Sequence, residues 1–127
     1  MQGFEDVTLG WKGESFTIPA NRQMGLVARV EDALSGDTGR QAIAILMQKD
    51  GPPYSRLAAA FGAALRYAGA TVTDEEIYLS IMEDFTKSKA DVVLKLQTVI
   101  VALLMVIAPP LGRAVSGRAL PDDSKKD

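Results

Sequence analysis

The 127-residue chain contains neither cysteine nor histidine. The lack of cysteine excludes disulfide bonds and thiolate metal sites, and the lack of histidine removes the commonest general base and the commonest transition-metal ligand. Without histidine, the serines have no ordinary base partner for nucleophilic catalysis. Glycine-rich phosphate-binding motifs of the G-x-x-x-x-G-K and G-x-G-x-x-G types are absent as well. The sequence therefore predicts a protein that is not an enzyme and that uses no cofactor.

An excess of charge of one sign is also lacking, because the net charge is −2 and the isoelectric point is about 5.1. No global positive field is present that would attract nucleic acid. Acidic residues cluster at positions 5–6, 31–32, 74–76 and 83–84. Such clusters are capable of binding a divalent cation, but helix ends and exposed helix faces explain the last three of them. We therefore expect one domain without a metal site, which binds neither nucleic acid nor a membrane.

The longest apolar run, at positions 99–108, belongs to a predicted helix that the prolines at positions 109 and 110 end. Helical spacing gives this helix one stripe that suffices as a core face, made of Val92, Leu96, Val99, Leu103 and Ile107. A second apolar side remains, made of Leu94, Val101, Leu104 and Met105. We predict that this second side contacts a partner; the alternative is that the N-terminal hairpin described below covers it.

A membrane span is not expected in this helix. The uncharged stretch 96–108 is shorter than the roughly 20 residues that crossing a bilayer requires. The N-terminal segment carries acidic residues where a signal peptide needs a basic patch and an apolar core. These two observations favour a cytoplasmic protein.

A β-hairpin is predicted at positions 4–18, where apolar residues alternate with polar or small ones: Val7, Leu9 and Trp11, then Phe16 and Ile18. A loop at positions 13–14 would set Leu9 opposite Ile18, and a loop at positions 12–13 would set it opposite Phe16. Both registers keep the apolar residues on one face. A lone hairpin is marginally stable in water, so we expect it to lie on helices or to pair with another copy.

The remaining pattern predicts a helical part at positions 21–108. A first helix ends at Gly36, a short second helix has an inner face of Ile43, Leu46 and Met47, and a third helix ends at Gly69. The fourth begins with a capping box of Thr73 and Glu76 and should bury Ile77, Ile81, Met82 and Phe85. Residues 111–127 lack any periodicity and are expected to form a mobile tail. The predicted fold is α+β, a single domain over 1–110 with a hairpin followed by about five helices.

The order of these features resembles the small tail assembly chaperones of long-tailed phages and of gene transfer agents. The features are the hairpin VTLGWKGESFTI, the helix MGLVARVEDALSG, the segment RLAAAFGAALRYAGATVTDEEI and an apolar last helix. The most specific part is LAAAFGAALRYAGATVTDEEI, in which a helix ends at a glycine and a V-T-D/E-E helix start follows. The resemblance covers roughly residues 7–110.

The resemblance implies a chaperone that binds the hydrophobic, helical tape measure protein in the host cytoplasm. Such a protein keeps its client soluble until tail tube subunits polymerise around it, and it is not expected in the mature virion. The tail tube protein and a second copy of this chain are further expected partners. The candidate partner contacts are two hairpin aromatics and the second side of the last helix: Trp11, Phe16, Leu94, Val101, Leu104 and Met105.

Two other functions compete with this interpretation. The first is a structural virion component of the neck or tail, in which hairpins of neighbouring subunits pair in a ring. The second is a small membrane-associated protein that uses the apolar run 99–108. The contents of purified particles distinguish a structural component from a chaperone, and solubility without detergent tests the membrane-associated protein.

Overall fold

The computed structural model describes residues 5–49 and 51–119. Within them, strands β1 (Val7–Trp11) and β2 (Glu14–Ile18) form an antiparallel hairpin, which a short 3₁₀ turn (Ala20–Arg22) follows. Six α-helices come next: α1 (Gln23–Ser35), α2 (Ala42–Met47), α3 (Tyr54–Tyr67), α4 (Asp74–Asp84), α5 (Lys89–Ile107) and α6 (Pro109–Ala119). The predicted α+β fold, a hairpin followed by a mostly helical chain, is confirmed.

The hairpin takes the second of the two predicted registers, in which Leu9 lies opposite Phe16. The loop consists of Lys12 and Gly13, which have φ values of 50° and 83°. Positive φ at both central residues matches the right-handed twist of the flanking strands and so favours this tight loop. The apolar face points into the protein, where Leu9 and Ile18 are buried.

Two polar contacts hold the hairpin against the beginning of α1. The side chain of Gln23 is buried, and its Nε2 donates a hydrogen bond to the carbonyl oxygen of Ile18 at 3.0 Å. The backbone N–H of Ala20 donates to Oδ1 of Asp6 at 2.8 Å. Because a buried amide without a partner would be costly, the Gln23 bond fixes where β2 passes into the helical part.

Helix α3 lies at the centre of the helical part, where it contacts α1, α4 and α5. Its buried residues include several with very small side chains: Ala58, Ala60, Gly62 and Ala64. Small side chains allow neighbouring helices to approach the backbone closely, and alanine also favours the helix. Leu65 of α3 and larger side chains of the surrounding helices complete the core, among them Leu26, Leu34, Ile77, Ile81 and Leu103.

The predicted start of α4 is confirmed as a reciprocal capping box. The N–H of Glu76 donates to Oγ1 of Thr73 at 3.1 Å, and the N–H of Thr73 donates to Oε1 of Glu76 at 2.8 Å. Both bonds satisfy backbone N–H groups that a helix N-terminus leaves without an intrahelical partner.

The predicted inner face of α2 is wrong in part. The buried residues are Ala42, Ile45 and Leu46, while Ile43 is 39% exposed and Met47 is 48% exposed. Both sets obey the i, i+3, i+4 spacing of a helix face. A helix of fewer than two turns has no further apolar residues that would distinguish the two possible buried faces. The contacts with α1 and α5 therefore decide which face is buried.

Directly after α4, the predicted burial of Phe85 is also wrong. Phe85 is 50% exposed, and its ring lies 5.7 Å from the ring of Tyr54 at the beginning of α3. Asp84 is buried in its place, because charged partners lie close to its carboxylate, as described below. Of the other predicted residues, Ile77 and Ile81 are buried, and Met82 is half-buried.

The expectation that regular structure ends at the two prolines is wrong for residues 111–119, which lie in α6. The prolines end α5 and then occupy the first turn of α6, where the missing N–H has no intrahelical acceptor to lose. Helix α6 packs on α5, and Gly112 is buried where a Cβ atom would lie 2.8 Å from the backbone nitrogen of Met105. The last eight positions of the predicted tail, 120–127, lie outside the described residues.

By length and composition alone, α5 has the properties of a membrane-spanning helix, with a mean hydropathy of 2.2. The core helix of a soluble protein passes the same test. Five residues of α5 are buried in the protein: Val92, Val99, Leu103, Leu104 and Val106. Because these side chains are buried, α5 is part of the core.

Candidate functional site

An open groove of about 640 Å³ lies between the hairpin loop, α4 and the first half of α5. Its apolar lining comes from four elements, and consists of Trp11, Phe61, Ile77, Ile81, Leu94 and Val99. The groove therefore has an apolar floor and remains open to solvent along one side. We refer to it below as the hairpin groove.

Trp11 forms the wall of the hairpin groove on the hairpin side. Its ring meets Phe61 of α3 edge to face, with centroids 6.3 Å apart and an interplanar angle of 63°. The Lys12 ammonium nitrogen lies 5.6 Å from the Trp11 ring centroid. An edge-to-face aromatic pair contributes about 0.5–1.5 kcal/mol beyond the burial of its area, so the wall is held in place by α3.

Leu94 lines the groove from α5. It is 64% exposed, which makes it one of the most exposed large apolar side chains in the described part of the chain. Thr98 follows it by one helical turn and also lines the groove. The hydroxyl of Thr98 donates to the carbonyl oxygen of Leu94 at 2.9 Å, so this polar side chain is satisfied within its own helix.

An ion pair with a buried carboxylate forms the polar end of the hairpin groove. Lys95 Nζ lies 3.1 Å from Asp84 Oδ2 and donates a hydrogen bond to Ser80 Oγ at 2.8 Å. Lys87 Nζ lies 3.6 Å from Asp84 Oδ1. The hydrogen bond from Lys95 holds the pKa of the Asp84 carboxyl below its ordinary value, although burial acts in the opposite direction. The pair joins α4 to α5 and leaves charge at one end of an apolar floor.

The structure brings together only two of the six residues that the sequence singles out as partner contacts. Trp11 and Leu94 both line the hairpin groove. Phe16 is half-buried against the core from the hairpin side. Val101 and Met105 are half-buried farther along α5, where α6 packs beside Met105. Helix α6 therefore lies against the second apolar side at Met105.

Leu104 is fully buried, so its prediction as an exposed contact residue is wrong. It follows Leu103 by 100° around the helix and so lies at the edge of the core stripe. The second half of α5 also has α6 against it, which turns an edge position into an interior one. A helix with neighbours on two sides buries more than one stripe.

Sequence reasoning did not find Phe61, Asp84 or Lys95 as groove residues. Phe61 reads as an ordinary core residue of α3, and Asp84 reads as a solvated member of an acidic cluster. Asp84 and Lys95 lie on different helices, so no i, i+4 spacing links them in the sequence. Only the packing of α4 against α5 brings the two charges together.

In the part of the chain that the structure describes, no group of acidic side chains is arranged to hold a metal ion. Comparison with known proteins finds no family model, no curated protein and no solved structure that matches this chain.

Proposed function

We propose that the protein is a tail assembly chaperone of the long-tailed-phage type, which binds a helical apolar segment of the tape measure protein in the hairpin groove. The observation that carries the proposal is that Trp11 and Leu94 belong to the same site. Both residues are candidate contacts by sequence, and both line one open groove with an apolar floor.

An amphipathic helix is the kind of segment that fits such a groove. Helix-in-groove recognition uses apolar anchors at i, i+3, i+4 and i+7 that enter an apolar cleft. Leu94 keeps 64% of its surface exposed, so a client side chain that covers it gains hydrophobic free energy. Burying one large apolar side chain is worth about 1.5–3 kcal/mol. A few anchors therefore suffice for a reversible complex, which a chaperone that must be displaced requires.

The ion pair at the polar end adds orientation to this binding. Asp84 and Lys95 each keep part of their hydrogen-bonding capacity, since a carboxylate has about four acceptor sites and an ammonium has three donors. A client helix that places a polar side chain at this end is favoured over one in the reverse direction. Charged groups at an interface contribute specificity more than affinity.

The test is co-expression with the tape measure protein of the same virus, with the soluble client as the readout. Leu94→Asp should leave the client insoluble, because a carboxylate then faces the apolar floor. Leu94 is exposed, so this variant keeps its own fold. Val93→Asp is the matched control: it is the neighbouring residue on α5, is 44% exposed and does not line the groove.

Wild type and Val93→Asp should hold the client in solution to the same extent. If Leu94→Asp does so as well, the hairpin groove is not the client site. If wild type itself has no effect on the client, the chaperone function is wrong.

A structural virion component is favoured by a different observation. Within the described residues the hairpin forms a two-stranded sheet, so each strand has an outer edge without a β partner. Unpaired edges are suited to pairing between subunits in a ring. Mass spectrometry of purified particles distinguishes the two functions, because a ring component is present in stoichiometric amounts and the chaperone is absent.

The hydropathy of α5 is the observation that favours the membrane-associated alternative. Fractionation of cells that express the full chain tests it directly. A chaperone remains in the supernatant without detergent, whereas a membrane-associated protein sediments with the membranes and is released only by detergent.

A further inference from the structure

A second cleft, of about 500 Å³, lies where the beginning of α1 meets the end of α3. It is lined by three arginines, one tyrosine and one alanine: Arg22, Arg29, Arg66, Tyr67 and Ala63. None of these residues lines the hairpin groove. We refer to this site as the arginine cleft, and the inference drawn from it is independent of the proposed function.

The ring of Tyr67 is the platform of the arginine cleft. The guanidinium carbon of Arg22 lies 4.3 Å from the ring centroid, and that of Arg29 lies 4.7 Å from it. The Tyr67 hydroxyl donates to the carbonyl oxygen of Arg22 at 2.9 Å, which ties the ring to the beginning of α1. A Cβ atom at Gly25 would overlap this hydroxyl, so the absence of a side chain there is what lets the ring lie against α1.

Backbone carbonyl groups hold each guanidinium in one orientation. Arg22 Nη2 donates to the carbonyl oxygen of Tyr67 at 3.3 Å, Arg29 Nη1 to that of Gly25 at 3.2 Å, and Arg66 Nη1 to that of Val72 at 3.0 Å. A guanidinium has five N–H donors, so most donors of each group remain for a ligand. The donors are therefore oriented before a ligand arrives.

The charges of the arginine cleft are only partly compensated within the described residues. Arg66 forms an ion pair with Asp74, with Nη2 and Oδ1 2.8 Å apart. Neither Arg22 nor Arg29 forms an ion pair with a carboxylate of the described chain. Three guanidinium charges against one carboxylate leave a charge of +2 in this cleft. Like charges that line one cleft repel one another, and a bound anion relieves the repulsion.

We propose that the arginine cleft binds the phosphate group of a small molecule, held by Arg22 and Arg29 and supported by Arg66. The planar fork of a guanidinium matches phosphate oxygens in a bidentate manner. A phosphate monoester carries about −1.5 to −2 charges at pH 7, which matches the +2 of the cleft better than one carboxylate does. The ligand is an inorganic phosphate or a phosphate monoester such as a nucleotide.

The experiment is a titration of the full chain followed by NMR of the arginine Nε–Hε groups, at constant ionic strength. The added ligands are inorganic phosphate, adenosine monophosphate and acetate. Saturable shifts are expected at Arg22, Arg29 and Arg66 with phosphate or the nucleotide, with a dissociation constant of about 1 mM or tighter. Arg40, whose guanidinium donates to Gln48 elsewhere on the surface, should not shift.

A comparison of the ligands identifies the source of the phosphate. Equal binding of phosphate and nucleotide means that the phosphate group suffices, and tighter binding of the nucleotide means that the ester group is also contacted. Saturation by acetate with equal affinity would overturn the proposal in favour of a carboxylate site. Shifts that grow in proportion to the ligand concentration, without saturation, would overturn it altogether.

Variants separate a binding role from a structural one. Arg22→Gln and Arg29→Gln should each weaken phosphate binding about tenfold, the loss expected for one charge-assisted contact. Arg40→Gln should leave the affinity unchanged. Arg29→Lys keeps the positive charge but lacks the planar guanidinium that binds phosphate in a bidentate manner, so it should also bind phosphate more weakly. This variant replaces Arg29→Gln in the comparison if Arg29→Gln does not fold. Affinities that equal that of the wild type in both Arg22→Gln and Arg29→Lys would contradict the proposal.

Discussion

Single side chains set the boundaries of the helices in this protein through hydrogen bonds that are local in sequence. The bonds that Thr73 and Glu76 exchange depend on residues three positions apart. At the start of α5, Ser88 Oγ accepts from the N–H of Asp91 at 3.1 Å in the same manner. Gly36, with a φ of 50°, follows the last residue of α1, and a residue with a side chain adopts this conformation only with strain.

The capping box leads to a prediction for a single substitution. Thr73→Ala should lower the free energy of unfolding by about 1 kcal/mol, because the N–H of Glu76 then loses its acceptor. Urea denaturation measures the change. Thr71→Ala is the control, since Thr71 is exposed in the loop before α4 and forms no side-chain hydrogen bond within the described residues. Equal midpoints for the two variants would mean that the cap contributes nothing to stability.

At the scale of secondary-structure elements, α6 packs closely on α5, and the pattern of apolar residues in the sequence does not predict this contact. Gly112 has no side chain, and this lets the two helices meet at the backbone of Leu104 and Met105. The contact covers part of the apolar side of α5 that exceeds its core stripe. Leu111 packs against the core from the same helix. Helix α6 is therefore a structural part of the domain at these positions.

This contact leads to a prediction for α6. Gly112→Val should destabilise the protein by about 1–3 kcal/mol, because its Cβ would lie 2.8 Å from the Met105 nitrogen and the helices must separate. Ala114→Val introduces the same side chain at an exposed position two residues later and should change stability little. Thermal unfolding of both variants measures the difference. Equal stability of the two would show that α6 does not pack on α5 in solution.

At the scale of the whole molecule, charge is almost entirely kept at the surface. Asp84 is the one buried charged side chain among the residues that the structure describes. Its partner Lys87 lies in the turn after α4 and its partner Lys95 lies on α5, so these charges link α4 to α5 at the polar end of the hairpin groove. The stability of the fold in acid should therefore depend on this carboxylate.

The pKa of Asp84 determines whether the stability of the fold rises or falls with pH. Its pKa is lowered below 3.8 in the folded protein, so the ionised carboxylate contributes stability above that pH. The contribution is lost as the pH falls through the lowered folded value. Asp84→Asn should therefore be less stable than wild type at pH 7 and should lose less stability on further acidification. Unfolding midpoints measured between pH 7 and pH 2 provide the comparison.

Asp37→Asn is the matched control for this substitution, since the Asp37 side chain is 99% exposed and pairs only weakly with Arg56. Its stability should follow that of wild type at every pH. An Asp84→Asn variant with the same acid dependence as wild type would show that the ion pair does not contribute to stability.

The sequence by itself determined the features whose causes are local. The alternation in the hairpin, the inner residues Ile77 and Ile81 of α4, the stop at Gly36 and the cap at Thr73 all follow from periods and hydrogen bonds within a few residues. Trp11 and Leu94, which both line the hairpin groove, were also identified as candidate partner contacts. These features need no knowledge of which element packs against which.

The tertiary structure decided everything that depends on a neighbour distant in sequence. It chose Ala42, Ile45 and Leu46 over the equally spaced alternative on α2, and it buried Leu104. It also paired Asp84 with Lys95 and assembled the arginine cleft from α1 and α3. Hydrophobic burial is non-directional, so an apolar periodicity states that a face is to be covered without stating what covers it. The packing of whole elements supplies that choice.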